Sequence, residues 1–357
     1  MILVTKRLIL RPWTVDDAEE CYKYCKDPKV GPVAGWAPHT SAEQSKVIIE
    51  KLLSKPDTFA IVLKETMLPI GNIAIKTGSA TDLTSGIDEC EIGYWLGVPY
   101  WGQGIMPEAL ERIIRYAFED LGMINILCGY YDGNDKSKRV QEKAGFKHLW
   151  TTERVEVAQL NEVRKGHVNI LSKEKWIQRQ ERLKASDPIY MRRSYRGRFM
   201  DYKVPRNDLI RIVNAGLAAP SGCNKQTTSF VIVDDDETLE KLKAVITPKV
   251  AETVRSAICV LTKRVNAYRD KCFAVQDYSA AIENMLLRIS ELGYQSCWYE
   301  GHITDDDRIC DRMEEILGVP DDMDLVCFLP VGIGLDKHTP LNKKPFDERV
   351  WFNSFGK

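Results

Sequence analysis

The sequence contains no Cys-x-x-Cys pair, although it holds ten cysteines, and this removes the common spacing of zinc ribbons and dithiol redox sites. The nearest two, Cys21 and Cys25, sit one helical turn apart with no histidine close by in sequence. None of the five histidines, His39, His148, His167, His302 and His338, has ligand-like spacing, so no metal is expected. The thiols read as reduced and mostly buried. Long hydrophobic runs are also missing. The longest apolar stretch, "LVCFLPVGIGL" (325–335), is too short to span a bilayer. The start, "MILVTKRLILRPW", lacks the apolar run of a signal peptide. A soluble cytoplasmic protein without a membrane partner is expected. There is no excess of charge of either sign: 50 Lys+Arg stand against 51 Asp+Glu, intermixed, for a net charge of −1. That weighs against a nucleic-acid partner, which needs a basic face or domain, and none is expected. The 8 tryptophans and 14 tyrosines follow no basic stripe, which favours core and pocket use over base stacking. No internal repeat or low-complexity tract occurs.

What is present suits two domains, the natural expectation for 357 residues. Residues 173–187, "KEKWIQRQERLKASD", are strongly charged, have little apolar periodicity after Trp176, and run into Pro188. The expected division is a first domain over 1–176, a charged linker over 177–187 and a second domain over 188–357. In the first, "TFAIVLK", "PIGNIAIK" and "ECEIGYWLG" read as strands, followed by the helical pattern "PEALERIIRYAFEDLG", whose first residue is expected to be Pro107. In the second, apolar residues recur at helical spacing from Leu209 to Leu217 and from Tyr278 to Leu292. The runs "SFVIVDD", "AICVLTK" and "DLVCFLPVGI" alternate with them, which suggests a three-layer α/β or α+β arrangement.

The stretch "YWLGVPYWGQGIMPEALERI" (94–113) takes a strand through a glycine turn into a helix. Free N–H groups and the positive dipole end at such a helix start suit a phosphate or pyrophosphate. This stretch, together with "TKRLILRPWTVDDAEECYKYCKDPKV" before it and "GNDKSKRVQEKAGFKHLW" after it, resembles in order and spacing the GNAT superfamily of N-acetyltransferases. The nearest branch is that of the ribosomal-protein-alanine (RimJ/RimL-like) enzymes. The resemblance implies a mixed central sheet splayed around acetyl-CoA. Its pyrophosphate would lie over the turn Trp101, Gly102, Gln103, Gly104, Ile105 and Met106, and Asn134 would hold the pantetheine arm. Pro107 stands where the family has Ser or Thr, so one hydroxyl contact is expected to be lost. Glu91 is a candidate to accept the amine proton, directly or through water, or is a plain strand carboxylate. Ser137 is a candidate to protonate the departing thiolate, or is a helix-start hydroxyl. Gly145 and Phe146 read as a structural turn and a core residue.

The second domain opens on "MRRSYRGRF" (191–199), and arginine's planar fork suits phosphate. With "NAGLAAPSGCNKQTTSFVIV", "AAIENMLLRISELGYQSCWYEGH" and "VGIGLDKHTPLNKKPFDERV", it resembles the FMN-dependent nitroreductase family. The implied fold is α+β, with a central antiparallel-rich sheet flanked by helices. The resemblance implies an FMN phosphate clamp from Arg192, Arg193, Ser194 and Arg196, completed by Lys343 and Lys344. Pro220, Ser221, Asn224 and Gln226 would touch the ribityl chain and ring, and Glu300 and Gly301 would lie near the reactive ring nitrogen. Thr227-Thr228 and Gln295 depart from the family pattern.

The joint expectation is a bifunctional protein in two α/β (α+β) domains, an acetyl-CoA-dependent N-acetyltransferase fused to an FMN-dependent oxidoreductase. Its substrates would be an amine, NAD(P)H and a small-molecule electron acceptor, and the second domain implies a homodimer. The alternative is that only one half is catalytic and the other binds, dimerises or senses.

Overall fold

The computed structural model describes residues 1–246, 249, 251–300, 309–336 and 343–356. The chain forms two compact units, Met1–Arg182 and Leu183–Lys357. The first contains, in order, β1 (Leu3–Val4), β2 (Leu8–Arg11), α1 (Ala18–Cys25), α2 (Gly31–Ala34), α3 (Ala42–Ile48), β3 (Thr58–Leu63), β4 (Leu68–Lys76), β5 (Glu89–Leu96), α4 (Ile105–Arg115), β6 (Asn125–Tyr131), α5 (Asp135–Ala144), β7 (Lys147–Val157), β8 (Glu162–Ser172) and α6 (Lys173–Ser186). The second contains α7 (Pro188–Met191), α8 (Arg206–Leu217), β9 (Thr228–Val233), α9 (Asp236–Val245), β10 (Ala257–Thr262), β11 (Asn266–Tyr268), β12 (Lys271–Cys272), α10 (Ala274–Glu291), β13 (Tyr299–Glu300), α11 (Ile309–Leu317) and β14 (Asp324–Pro330).

The first unit is built on a mixed sheet of order β1-β2-β3-β4-β5-β6-β8-β7. All its neighbours are antiparallel except β5 and β6. Alternate residues of β3 enter different cores. Phe59 and Ile61 join the cluster under α4, whereas Ala60 and Val62 join Cys21, Cys25 and Trp13 on the other face. Both faces are therefore covered, which is why "TFAIVL" shows no polar alternation.

Helix α4 begins at Ile105, two residues before the expected Pro107, because Gly104 takes the left-handed conformation (φ +73°) as its N-cap. The expected linker is helical over most of its length, as part of α6. Lys, Glu, Gln, Arg, Leu and Ala are all strong helix formers, and neither Gly nor Pro interrupts them before Pro188. Buried Trp176 packs on Phe118 with ring centroids 5.4 Å apart, and Arg179 and Gln180 donate to Glu111 at 2.8 and 3.0 Å.

The second unit has an antiparallel sheet of order β13-β14-β10-β9 and a separate hairpin, β11-β12. On β10, Ala257, Cys259 and Leu261 face α9 and α11, while Ile258 and Val260 face α8 and α10. A register shift against β14 between Val260 and Leu261 lets consecutive Val326 and Cys327 join the same core. The result is three layers, helices on both faces of one sheet.

Ile282, fully buried on α10, sits in that second layer. Ile282→Ala removes its contacts and leaves a cavity, so it is expected to cost about 2–5 kcal/mol. Hydrogen exchange of β10 amides under urea measures this, and unchanged protection would contradict the role assigned to this layer.

Candidate functional site

In the first unit, β5 and β6 pair in parallel only from Glu89 to Glu91 against Asn125 to Leu127. Beyond that point β5 continues to pair with β4, and β6 with β8, so the two strands part company. The chain leaves β5 through Gly97 and a 3-10 turn, Val98–Tyr100, into Trp101–Gly104. Gly102 and Gly104 adopt φ +77° and +73°, and an added Cβ at Gly102 would meet nothing within 4 Å. These glycines thus serve backbone conformation rather than space. Ile105 and Met106 turn their side chains into the core, while their amides belong to a first helical turn that has no intrahelical acceptors. The ammonium of Lys136 lies 3.7 Å from the Trp101 ring centroid, and the indole N–H donates to Leu96 O at 2.7 Å.

A brace from outside the expected site positions this turn. Glu108 in the first turn of α4 accepts from the Thr5 hydroxyl at 2.6 Å, from Arg7 N at 2.8 Å and from Arg7 Nε at 2.7 Å. Arg7 also donates to Gln103 O at 2.9 Å. Burial raises the Glu108 pKa, but the Thr5 hydroxyl and both Arg7 donors outweigh it and hold the carboxyl below its usual value. Sequence spacing could not join residues a hundred positions apart.

Glu91 stands where the strands divide, and both its oxygens are engaged. Oε1 accepts from Lys76 Nζ at 2.7 Å and Oε2 from the Thr81 hydroxyl at 2.6 Å. Asn134 is the N-cap of α5, accepting from Ser137 N at 3.2 Å. The Ser137 hydroxyl accepts from Gln141 Nε2 at 3.1 Å and lies 2.9 Å from the Tyr94 hydroxyl. Tyr94 was not singled out in the sequence, yet it links β5 to the helix after β6. Burial pushes its phenol far above the ordinary tyrosine range. Buried Gln141 in turn accepts from Asn169 at 2.9 Å, so a polar chain runs from Asn169 to Tyr94. Gly145 ends α5 at φ +98°, and Phe146 is buried beside it.

In the second unit, "MRRSYRGRF" is an extended segment stitched to two others. Ser194 bridges Ser296, Tyr195 N donates to Ser296 O at 2.8 Å, and Phe199 bridges Gly334. Tyr195 and Phe199 point into the core, while Ser194 and Arg196 are exposed. Arg192 pairs with Glu283 of α10 at 3.2 Å, and Arg193 donates to Tyr190 O at 2.6 Å. Arg192 and Arg193, with Gln295 and Ser296, line a cavity of about 500 Å³. Burial raises the Cys297 thiol to about 11, with the Arg196 charge opposing it. The departure at Gln295 has a structural role, because its side chain accepts from Gly334 N at 2.6 Å.

The Pro220–Gln226 turn is held by a residue the sequence reading passed over. Buried Asp277 accepts from Gly222 N and from the Thr227 hydroxyl, each at 2.8 Å. Ser221 Oγ accepts from Gln226 N at 2.9 Å. Cys223, Asn224 and Gln226 are held at φ +50°, +54° and +51°, and Pro220, Asn224 and Gln226 are exposed. Glu300 is exposed at the end of β13 and accepts from Trp298 Nε1 at 2.7 Å. Lys343 and Lys344 are exposed in irregular chain, and no described hydrogen bond or ion pair joins them to the arginine segment. Gly301 lies outside the described residues, as do His302 and His338.

The acetyltransferase (GNAT) domain family matches residues 7–147, and the nitroreductase family matches residues 189–258 and 245–333. The chain is 30% identical over 149 residues to "Uncharacterized N-acetyltransferase p20" of Bacillus licheniformis, covering 40% of this chain and 81% of that protein. It is 33% identical over 150 residues to "Putative NADH dehydrogenase/NAD(P)H nitroreductase" of Archaeoglobus fulgidus, covering 42% of this chain and 83% of that protein. The chain belongs to both families, as a fusion of a GNAT acetyltransferase domain with a nitroreductase-family domain. A shorter likeness, 40% identity over 58 residues, joins 16% of this chain to 32% of "Putative ribosomal N-acetyltransferase YdaF" of Bacillus subtilis. The two families support transferase and oxidoreductase activity in general terms. Among the described residues of the fusion, no helix is long and apolar enough to cross a membrane.

Glu108→Ala in the acetyltransferase domain is expected to cost about 1–3 kcal/mol by leaving the Arg7 and Thr5 donors short of an acceptor. Because the folded pKa of Glu108 is depressed, its contribution is present above the unfolded value of about 4.3 and is lost as pH falls through the folded value. Glu108→Gln should therefore flatten the loss of stability below about pH 5. Thermal melts between pH 3 and 7 measure it, and an identical acid limb in the variant would contradict the brace.

Proposed function

We propose that the chain is a bifunctional enzyme of a reducing compartment such as the cytoplasm, transferring an acetyl group to an amine in one domain and electrons from NAD(P)H to a small acceptor in the other. The reading rests chiefly on the parting of β5 from β6 beside a glycine turn whose first helical amides lack helical acceptors. All ten cysteines are free, which agrees with a reducing compartment. The likeness to a ribosomal N-acetyltransferase supports the ribosomal-protein-alanine branch for the first domain.

The donor set of the acetyltransferase domain fits the pyrophosphate of acetyl-CoA: exposed Gly102–Gly104 leave an open approach, and the first-turn amides of α4 carry the positive dipole end. Asn134 uses its side-chain oxygen to cap α5, so it orders this rim of the site as well as contacting the pantetheine arm. Attack by an amine needs a neutral nucleophile held against the thioester and a proton for the thiolate, with positioning the larger contribution. Ser137 is the proton donor. Its oxygen accepts from Gln141 Nε2, and when the Tyr94 hydroxyl donates to it across the 2.9 Å contact the serine proton is left free for the thiolate. Glu91, held in place by Lys76 and Thr81, receives the amine proton through water.

The nitroreductase domain fits a flavin phosphate through the guanidinium groups of Arg192, Arg193 and Arg196, with the Ser194 hydroxyl between them and Lys343 and Lys344 adding charge. FMN, when bound, supplies the two-electron chemistry, and the protein supplies orientation and electrostatics. Pro220, Ser221, Asn224 and Gln226 lie on the turn held by Asp277 and would contact the ribityl chain and ring, and Glu300, exposed at the end of β13, would border the ring's reactive nitrogen. Exposed Phe346, Phe352 and Phe355, at 65%, 73% and 83%, support pairing into a homodimer through this domain.

Purified protein is expected to be yellow, or to gain a flavin band with added FMN, and to oxidise NAD(P)H. The double variant Arg192→Ala, Arg196→Ala should lose FMN while acetyl-CoA still raises its melting temperature. Flavin content equal to wild type would remove the clamp, and the absence of any shift at saturating acetyl-CoA would remove the first activity. Ser137→Ala should lower kcat for acetyl transfer by about 10²–10⁴-fold with little change in KM for acetyl-CoA. A change in KM alone would return Ser137 to a structural role.

A further inference from the structure

The loop before α3 returns His39 to the two cysteines of α1, a juxtaposition that sequence spacing conceals. Cys21 and Cys25 lie on one face of α1, both 1% exposed, and His39 is 8% exposed. Ligand atoms of all three lie within 4.8 Å of one another. The geometry points to a zinc site formed by Cys21, Cys25 and His39 in the acetyltransferase domain.

Three observations support it. The two sulfurs are 3.8 Å apart, and a tetrahedral centre with Zn–S bonds of about 2.3 Å separates its sulfurs by about 3.8 Å. His39 is also set up as a ligand. Its Nδ1 lies 2.7 Å from Oγ of fully buried Ser45, leaving Nε2 as the nitrogen for the metal, and a hydrogen bond to the second ring nitrogen is what fixes the tautomer in metal sites. The loop is held in place before any metal arrives. His39 N donates to Cys25 O at 3.1 Å, and Thr40 N and Oγ1 donate to Gln44 Oε1 at 2.6 and 2.9 Å.

Charge selects the ion. Two thiolates and a neutral imidazole carry two negative charges among Trp13, Ile49, Ala60 and Val62. A divalent cation neutralises them, whereas a monovalent one leaves a buried net charge. Binding converts two thiols to thiolates and releases two protons per ion. No fourth His, Cys, Asp or Glu joins the group among the described residues, so the fourth position falls to a water.

The test uses the full chain in a Cys223→Ser, Cys272→Ser background, since those two thiols are exposed and would bind metal at the surface. After chelator and reductant treatment, Co(II) titration should give one ion per chain, with thiolate-to-cobalt absorption in the near ultraviolet and tetrahedral bands in the visible, both erased by one equivalent of Zn(II). Cys21→Ser and Cys25→Ser should abolish the spectrum, and His39→Asn should weaken binding at least tenfold. X-ray absorption on the zinc-loaded background protein should show two sulfurs and lighter ligands, and this decides the matter even if a variant fails to fold. No cobalt spectrum in folded protein, a spectrum surviving in Cys21→Ser, a zinc shell without two sulfurs, or uptake of Cu(I) but not Zn(II) would each overturn the assignment.

Discussion

Parallel pairing between β5 and β6 stops at Glu91 and Leu127, and most of what the acetyltransferase domain can do follows from that interruption. Each strand keeps its outer neighbour, so the sheet survives while one edge of each strand is released. Beyond that point no ladder bond among the described residues joins β5 to β6, and Cys128 Sγ of β6 donates to Ile92 O of β5 at 3.1 Å where the gap begins. The domain supports the gap at both ends. On one side Arg7 and Glu108 tie the glycine turn to the first hairpin; on the other, Tyr94 and Ser137 join β5 to α5.

The nitroreductase domain depends on a different device. Its sheet is antiparallel and buried on both faces, so its chemistry must come from segments laid along the edges. The arginine segment is held there by pairing with Ser296 and Gly334, and the Pro220–Gln226 turn by one buried carboxylate, Asp277. Three residues near φ +50° in that turn make it costly to form without such a hold. An added Cβ at Gly222 would approach Phe273 to 2.6 Å, which leaves glycine as the residue that fits.

Much of this was legible in the sequence. β3, β4 and β5 coincide with apolar or alternating runs, and α8 and α10 with helical periodicity. α6 was less legible, because a helix stabilised by propensity and two contacts to Glu111 has little apolar stripe to read. The early start of α4 escaped for a local reason: Gly104 can take a left-handed cap that moves the first turn ahead of Pro107.

The amino-acid order alone determined which stretches pair, coil or turn, since those choices depend on neighbours within a few residues and on the period at which apolar side chains recur. It also determined the chemistry available: glycines before a helix, arginines around a serine, thiols one turn apart. Tertiary structure decided who meets whom. Arg7 reaches Glu108, Tyr94 reaches Ser137, Asp277 reaches Gly222 and His39 reaches Cys21 and Cys25 only after the sheets and helices have packed. Such contacts form where packing places side chains a few ångströms apart, a distance that sequence separation does not encode.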